Sequence, residues 1–261
     1  MKSVDFDSLS DRELADLISK HLTETIDDSF IKACPSNYEE AQAVIGDAVK
    51  VLDLDEYSRT RNHVDGSVSE LSSYIRHGLI STNEIYEATR EKQGSQKFTQ
   101  ELCWREYFSA YAERNPDSLW ESIEAYKTGF QESDYASSMP VDIVEHSTGE
   151  ICLDQMIKEL YKTGHLHNHC RMYLASYVVH FRRVKWQVGA SWFLEHLVDG
   201  DVASNNLSWQ WVASTFSSKP YIFNLDNVRK YCDTRYDVSP IHNSNLDHSY
   251  EYLAAKLFPN V

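Results

Sequence analysis

Glycine and proline are scarce in this chain, nine and six residues of 261, and no alternating apolar and polar run of strand length stands out. A sheet of short strands and tight turns is therefore not expected. Cysteine is sparse too. Cys34, Cys103, Cys152, Cys170 and Cys232 are odd in number, scattered and never spaced as C-x-x-C, which argues against a disulfide framework, structural zinc or a conventional cluster site and for isolated, mostly buried thiols. No stretch approaches the roughly 18 consecutive apolar residues of a membrane span. The opening "MKSVDFDSLSDREL" is acidic where a secretory leader is basic and then apolar, so a soluble, cytoplasmic protein without a membrane partner is expected. Positive charge is short as well: the formal net charge is −15, which alone argues against a nucleic-acid partner, because phosphate neutralisation drives that binding.

The distribution of charge softens that exclusion. Residues 1–60 carry 14 acids and 6 bases and residues 61–160 carry 18 and 9, whereas 161–230 carry 4 acids, 8 bases and five histidines. A polyanion would sit on this last segment, with Arg61 and Arg105 as additions. Hydrophobic residues make up 42 % of the chain, enough for a folded core. They recur at helical spacing: Leu14, Leu17, Ile18 and Leu22; Tyr38, Ala41, Ile45, Val49 and Leu52; Leu102, Phe108 and Tyr111; Leu153, Met156, Ile157 and Leu160; Met172, Ala175 and Val179. "SNYE" at Ser36 and "STNE" at Ser81 place a serine three residues before a glutamate, the signature of a capping box. The expectation is an all-α fold, with residues 128–150 as its main irregular segment.

Four stretches carry candidate chemistry. "GSVSELSSYIRHGLIS" (66–81) interleaves hydroxyl residues with a helix start, suited to phosphate oxygens. "ELCWREYF" (101–108) sets a tryptophan among charges. "LVDGDVASNNLSWQWVASTF" (197–216) joins two aspartates around a glycine to paired asparagines and two tryptophans. "TGHLHNHCRMYLASYVVHFRRVKWQ" (163–187) places three histidines on alternate positions. Singly, these read as caps, turns and half-buried aromatics. Together with six tryptophans and sixteen tyrosines, dense around the only net-positive segment, they suit a flat aromatic ligand or a stacked base. A metal comb of His165, His167 and His169 is not expected, since residues two apart diverge by about 200° on a helix.

These motifs, in this order and spacing, resemble the flavin-binding helical domain of the photolyase/cryptochrome family over about residues 57–230. The resemblance implies residues 57–261 as a single FAD-binding helical domain and residues 1–56 as a helical extension packed on it, too short and too helical to be the family's antenna-pigment domain. It implies FAD as cofactor. Tyr57, followed by "SRTRN", matches the tyrosine near the phosphates. Ser69, Leu71 and Ser72 match the end of the usual T-S-x-L-S, whose threonine is replaced by Val68, with Ser67 as candidate substitute. Arg171 and Asp199 match the ion pair beside the isoalloxazine ring, Gly200 and Asp201 complete D-G-D, and Asn205 faces flavin N5, where its carbonyl can accept from the N–H of a reduced flavin.

The same resemblance implies a lesion pocket. Asn168 and Met172 match the branch that repairs cyclobutane pyrimidine dimers. Glu101 would hydrogen-bond the flipped pyrimidines, Trp104 would stack on them, and Trp211 would form the other wall. His167 would flank the flavin and His169 would lie near DNA phosphate. His165 stands where repair enzymes carry a tryptophan. Trp209 and Trp186 match the first two members of the tryptophan chain that reduces the photoexcited flavin; the third is missing, and Tyr135 or Phe130 stands near its place. The expected function is a light-dependent photolyase acting on UV-damaged DNA. The alternative is a cryptochrome-like blue-light photoreceptor with a protein partner.

Overall fold

The computed structural model describes Ser10 and residues 38–261. The expected helix at Leu14–Leu22, the cap at Ser36 and Cys34 lie outside the described residues. Two compact units divide at Asp47 and Ala48. The expected boundary at 56/57 falls inside a helix, Leu54–Thr60.

The fold is all-α, as the periodicity requires. Among the described residues, helices run α1 Tyr38–Val51, α2 Leu54–Thr60, α3 Ser72–Arg76, α4 Thr82–Thr89, α5 Ser95–Arg114, α6 Val141–Val144, α7 Ile151–Thr163, α8 Asn168–Ser176, α9 Trp186–His196, α10 Val202–Ala213, α11 Leu225–Cys232 and α12 Tyr250–Leu257. The only extended pairing among the described residues is one isolated bridge, Ala136 with Val184. No described helix is long and apolar enough to cross a membrane. Ser81 caps α4 by the reciprocal arrangement its sequence announces: its hydroxyl accepts from Glu84 N–H at 3.1 Å, and Glu84 accepts from Ser81 N–H at 2.8 Å.

The core gathers on α7 and α8. Leu153, Met156, Ile157 and Leu160 of α7 are fully buried, their i, i+3, i+4, i+7 spacing forming one face. α8 passes into a π-helical turn, Tyr177–Phe181. Arg182 caps the turn, and Arg183 after it has a φ of +50°. Arg182 grips Asp142 through two nitrogens at 2.6 and 2.9 Å, Arg183 donates to Leu257 O at 2.7 Å, and Lys185 pairs with Glu132 at 3.4 Å. These cations brace the irregular 128–150 segment and the C-terminal helix. Cys152, Cys170 and Cys232 are buried free thiols, while Cys103 is exposed.

One buried base makes the core acid-sensitive. His180 sits in the π turn, 1 % exposed, with Nε2 at 2.8 Å from Val212 O and no partner for Nδ1. Burial holds its pKa down to about 4, against about 6.5 in an unfolded chain. The unfolded state therefore takes up the proton first as pH falls, so the stability this neutral histidine carries is present above about pH 6.5 and is lost on the way to about pH 4. The loss amounts to about 3 kcal/mol. Urea unfolding of the parent and of His180→Leu at the two ends of that window is expected to show a smaller pH-dependent loss in the variant.

Candidate functional site

α10 is the wall around which the site is built. It packs on α9, α5 and α8 and is tied to the 115–127 segment by buried amides: Gln210 Nε2 donates to Ser118 O at 2.7 Å, Gln210 Oε1 accepts from Ile123 N–H at 3.0 Å, and Asn206 Nδ2 donates to Leu119 O at 2.6 Å. Its start is fixed by Asp201, whose carboxylate accepts from Ser204 N–H at 2.8 Å. A cavity of about 630 Å³ opens between α10, α5, α8 and the 197–201 loop, within the size range of small-molecule and cofactor sites.

The structure brings most of the predicted residues to this cavity. Arg61, Ser72, Glu101, Trp104, Arg105, Asn168, His169, Arg171, Met172, Asp199, Gly200, Asp201, Asn205, Trp209 and Trp211 all line it. Arg171 and Asp199 form an ion pair at 2.9 Å. Burial pushes the Asp199 carboxyl up, but the charge and hydrogen bond of Arg171, the Ser72 hydroxyl and the nearby His165 outweigh it and hold the carboxyl below the usual range. Glu101 is compensated by Lys97 at 2.8 Å and Arg61 at 3.6 Å, and Arg105 lies 3.6 Å from Asp201. Asn168 and Met172 touch across one turn of α8, Nδ2 to Sδ 3.7 Å. Asn205 spends its amide hydrogens on Ala190 O at 3.0 Å and Asn206 Oδ1 at 2.8 Å, which leaves its carbonyl oxygen as the acceptor.

Other predicted residues lie off the cavity lining. Helix α3 has only five residues and no side-chain cap, and Ser67, Val68, Ser69 and Leu71 do not line the cavity. Ser67 N–H donates to Thr60 Oγ1 at 3.0 Å, and Leu71 is buried in the core. Ser72 Oγ donates to Asp199 Oδ2 at 2.6 Å, so its proton is directed at a carboxylate. Arg76, one turn on, donates from Nε to Gly200 O at 2.8 Å, and His77 Nε2 lies 2.9 Å from Val198 O. α3 is thus a clamp on the D-G-D loop. Arg76 and His77 were missed by sequence reasoning, although Ser72 and Arg76 stand at the i, i+4 spacing that shares a helix face.

Tyr57 is also away from the cavity lining. Its ring meets Phe98 edge-on at 5.2 Å, and burial, with the Glu101 charge, pushes its pKa up to about 12. His165 and His167 are not in the lining either. His167 caps α8, its Nδ1 accepting from His169 N–H at 3.2 Å while Nε2 lies 3.1 Å from Arg61 O. His165 N–H donates to Thr163 Oγ1 at 3.0 Å in the link between α7 and α8. His169 is held down to about 4 by burial and by the positive fields of His167, Arg61 and His63. Its ring packs 4.8 Å from Tyr231. No three His, Cys, Asp or Glu side chains group as metal ligands among the described residues.

Both chain tryptophans are buried, Trp209 at 2 % and Trp186 at 0 % exposure. Trp186 Nε1 donates to Ser122 Oγ at 3.0 Å, and its backbone N–H donates to the Tyr126 hydroxyl at 3.4 Å. Tyr126 stacks on Tyr135, centroids 4.2 Å apart, so of the two residues named for the missing position Tyr135 adjoins Trp186 through Tyr126. Phe130 lies beneath the Arg183 guanidinium, 3.4 Å from its centroid. Trp209 rests on Gly189: a Cβ there would come within 2.3 Å of the indole Cη2 and Cζ3. Gly189→Ala is therefore expected to destabilise the protein by about 1–3 kcal/mol and to displace Trp209 from the cavity wall, read as a lowered Tm and altered tryptophan fluorescence.

Comparison with known proteins now decides the family. A family model described as the FAD binding domain of DNA photolyase matches residues 98–238. The chain belongs to that family. Deoxyribodipyrimidine photo-lyase of Streptomyces griseus is 33% identical over 152 residues, covering 57% of this chain and 32% of its own length. Cryptochrome DASH of Idiomarina loihiensis is 30% identical over 198 residues, covering 69% of this chain and 42% of its own. The chain thus spans less than half of each of these curated relatives. In fold it is similar to the archaeal photolyase from Sulfolobus tokodaii solved with two FAD molecules, at TM-score 0.65 and 22% identity over 92% of this chain and 62% of that one. The photolyase match contains the cavity from Glu101 to Trp211 and leaves out the 57–72 stretch, from which Arg61 and Ser72 also reach the cavity.

Proposed function

We propose that the cavity holds FAD and that the protein repairs cyclobutane pyrimidine dimers in DNA under light. One observation carries the cofactor reading. Asp199 Oδ1, Ser204 Oγ and Trp209 Nε1 are buried polar atoms without a hydrogen-bond partner, and all three belong to residues that line this cavity. Buried polar groups are nearly always satisfied, so an acceptor, a hydroxyl and a donor left open around one cavity call for a polar, partly aromatic ligand. Reduced flavin held there would supply the electron that opens the dimer ring under light and would take it back afterwards. The Arg171–Asp199 pair would fix the ring, Asn205 would offer its carbonyl to a protonated ring nitrogen, and Arg61 and Arg105 are the cations in reach of phosphate. The deoxyribodipyrimidine photo-lyase relatives support the substrate class.

For the lesion, Glu101 would accept hydrogen bonds from the pyrimidine edges while Trp104 and Trp211, both about half exposed at the cavity mouth, would bracket the bases and exclude water. Asn168 and Met172 would form the floor. Trp104→Ala is expected to remove most of the preference for a thymine-dimer oligonucleotide over the undamaged strand, measured by titration in the dark, because base–aromatic stacking contributes about 1–3 kcal/mol per base. An unchanged preference would count against this pocket. A blue-light photoreceptor acting on a protein partner is the second reading. It is favoured by the charge pattern: Arg61, Arg105 and Arg171, the arginines of the cavity, each face a carboxylate, and the chain carries a net −15.

A further inference from the structure

The buried positions of α5 are Phe98, Leu102 and Ala112. Trp104, Tyr107, Phe108 and Tyr111 stand at i, i+3, i+4 and i+7 on a different face, where an aromatic stripe has no core to enter. Trp104 and Tyr107 are 48 % and 46 % exposed. Each ring touches the next: Trp104 to Tyr107 at 5.7 Å, Tyr107 to Phe108 at 5.9 Å, Tyr107 to Tyr111 at 6.1 Å and Tyr111 to Phe216 at 5.0 Å. Trp104 and Phe108 also line the cavity. The band therefore starts inside the mouth and leaves it over the surface.

We propose that this band is a stacking platform for single-stranded DNA, which carries nucleotides flanking the one held at the cavity; the inference rests on the reading of that cavity as a nucleotide site. Continuity with the mouth is one argument. Composition is another, since the stripe consists of rings without an aliphatic residue, and a π-face accepts any base while a protein interface core would mix in aliphatic groups. Charge is the third. The cavity's arginines are committed to Glu101, Asp201 and Asp199, so a duplex, with its bases stacked on each other and its phosphate charge doubled, gains little here. A single strand can turn its bases outward and gain through stacking. From Trp104 to Tyr111 the platform runs about 10 Å, the length of roughly three stacked nucleotides.

The test uses full-length protein in the dark, a labelled undamaged oligothymidine, and the same strand annealed to its complement, read by anisotropy. The parent is expected to bind the single strand more tightly than the duplex. Tyr107→Ala with Tyr111→Ala should weaken single-strand binding about tenfold or more, with helical circular dichroism retained as the control for folding, since Tyr107 is exposed and Tyr111 is half-buried against Phe216. Tyr107→Phe with Tyr111→Phe should keep the affinity, and Tyr107→Leu with Tyr111→Leu should lose it, since only the former retains the rings. Parent affinity in the leucine pair, or a parent that binds duplex as tightly as single strand, overturns the proposal. So does light scattering that finds a dimeric parent and a monomeric alanine pair, which would make the band an interface between copies. No arm needs flavin or light, so absent repair leaves this test standing, while repair that acts equally on duplex would uphold the photolyase reading and count against the platform.

Discussion

Asp199→Ala should leave purification with little or no flavin, where the parent is expected to carry close to one FAD per chain. The substitution removes the partner of Arg171 and of the Ser72 hydroxyl in a single step, because Asp199 Oδ2 accepts from both, at 2.9 and 2.6 Å. Asp199 is 4 % exposed and Arg171 23 %, so the orphaned guanidinium is poorly hydrated. Breaking a buried pair on one side costs about 3–5 kcal/mol of stability; with Arg171 partly solvated, the lower end applies. The open acceptor on the same carboxylate, Oδ1, disappears as well. Asp199→Asn keeps the shape without the charge and should fall between the two. Flavin absorbance per chain, with Tm as the control for folding, is the measurement; undiminished flavin in the alanine variant would mean that the ligand sits elsewhere.

Trp209→Phe should abolish most light-driven reduction of the flavin while leaving flavin content nearly unchanged. Trp209 is the buried tryptophan that lines the cavity, and it packs edge-on to Phe193 at 5.0 Å. Phenylalanine keeps an aromatic against Gly189 but is far harder to oxidise, so the first electron has no ready source. The smaller ring leaves some space, which lowers stability by about 1–3 kcal/mol without opening the site. Trp186→Phe should slow net reduction and not stop it, and Tyr126→Phe or Tyr135→Phe tests whether the stacked pair beside Trp186 continues the path. Flavin absorbance under blue light separates these outcomes. A Trp209 variant that photoreduces like the parent would show that electrons enter by another route.

Much of this was legible before any coordinates. Helix α7 follows from Leu153, Met156, Ile157 and Leu160, since one apolar face at helical period has few other ways to be buried. The cap at Ser81 needs only its own four residues. The cavity was legible because its residues come in short motifs, each placed by the helix that carries it. What stayed hidden depends on distant partners. No local pattern reveals that Ser72, Arg76 and His77 would turn onto residues 198–200, or that Gln210 and Asn206 would organise 118–123 from 87 and more residues away. The partner of the Ser72 hydroxyl stayed hidden for the same reason, since Asp199 lies across the fold. Nor does the basic run at Arg182 reveal that Asp142 and Leu257 make it a brace.

The photolyase reading stands or falls on turnover. Purified protein whose flavin has been reduced chemically is incubated with an oligonucleotide bearing a single thymine dimer, one portion under near-UV to blue light and one in the dark, and restored thymines are counted by chromatography. Repair in the light alone, reduced in Glu101→Gln and preserved in Trp209→Phe, is the expected result, because repair needs the reduced flavin and the pocket but not the tryptophan path. A fully flavin-loaded parent that leaves the dimer intact in the light would contradict it and give the photoreceptor reading the lead.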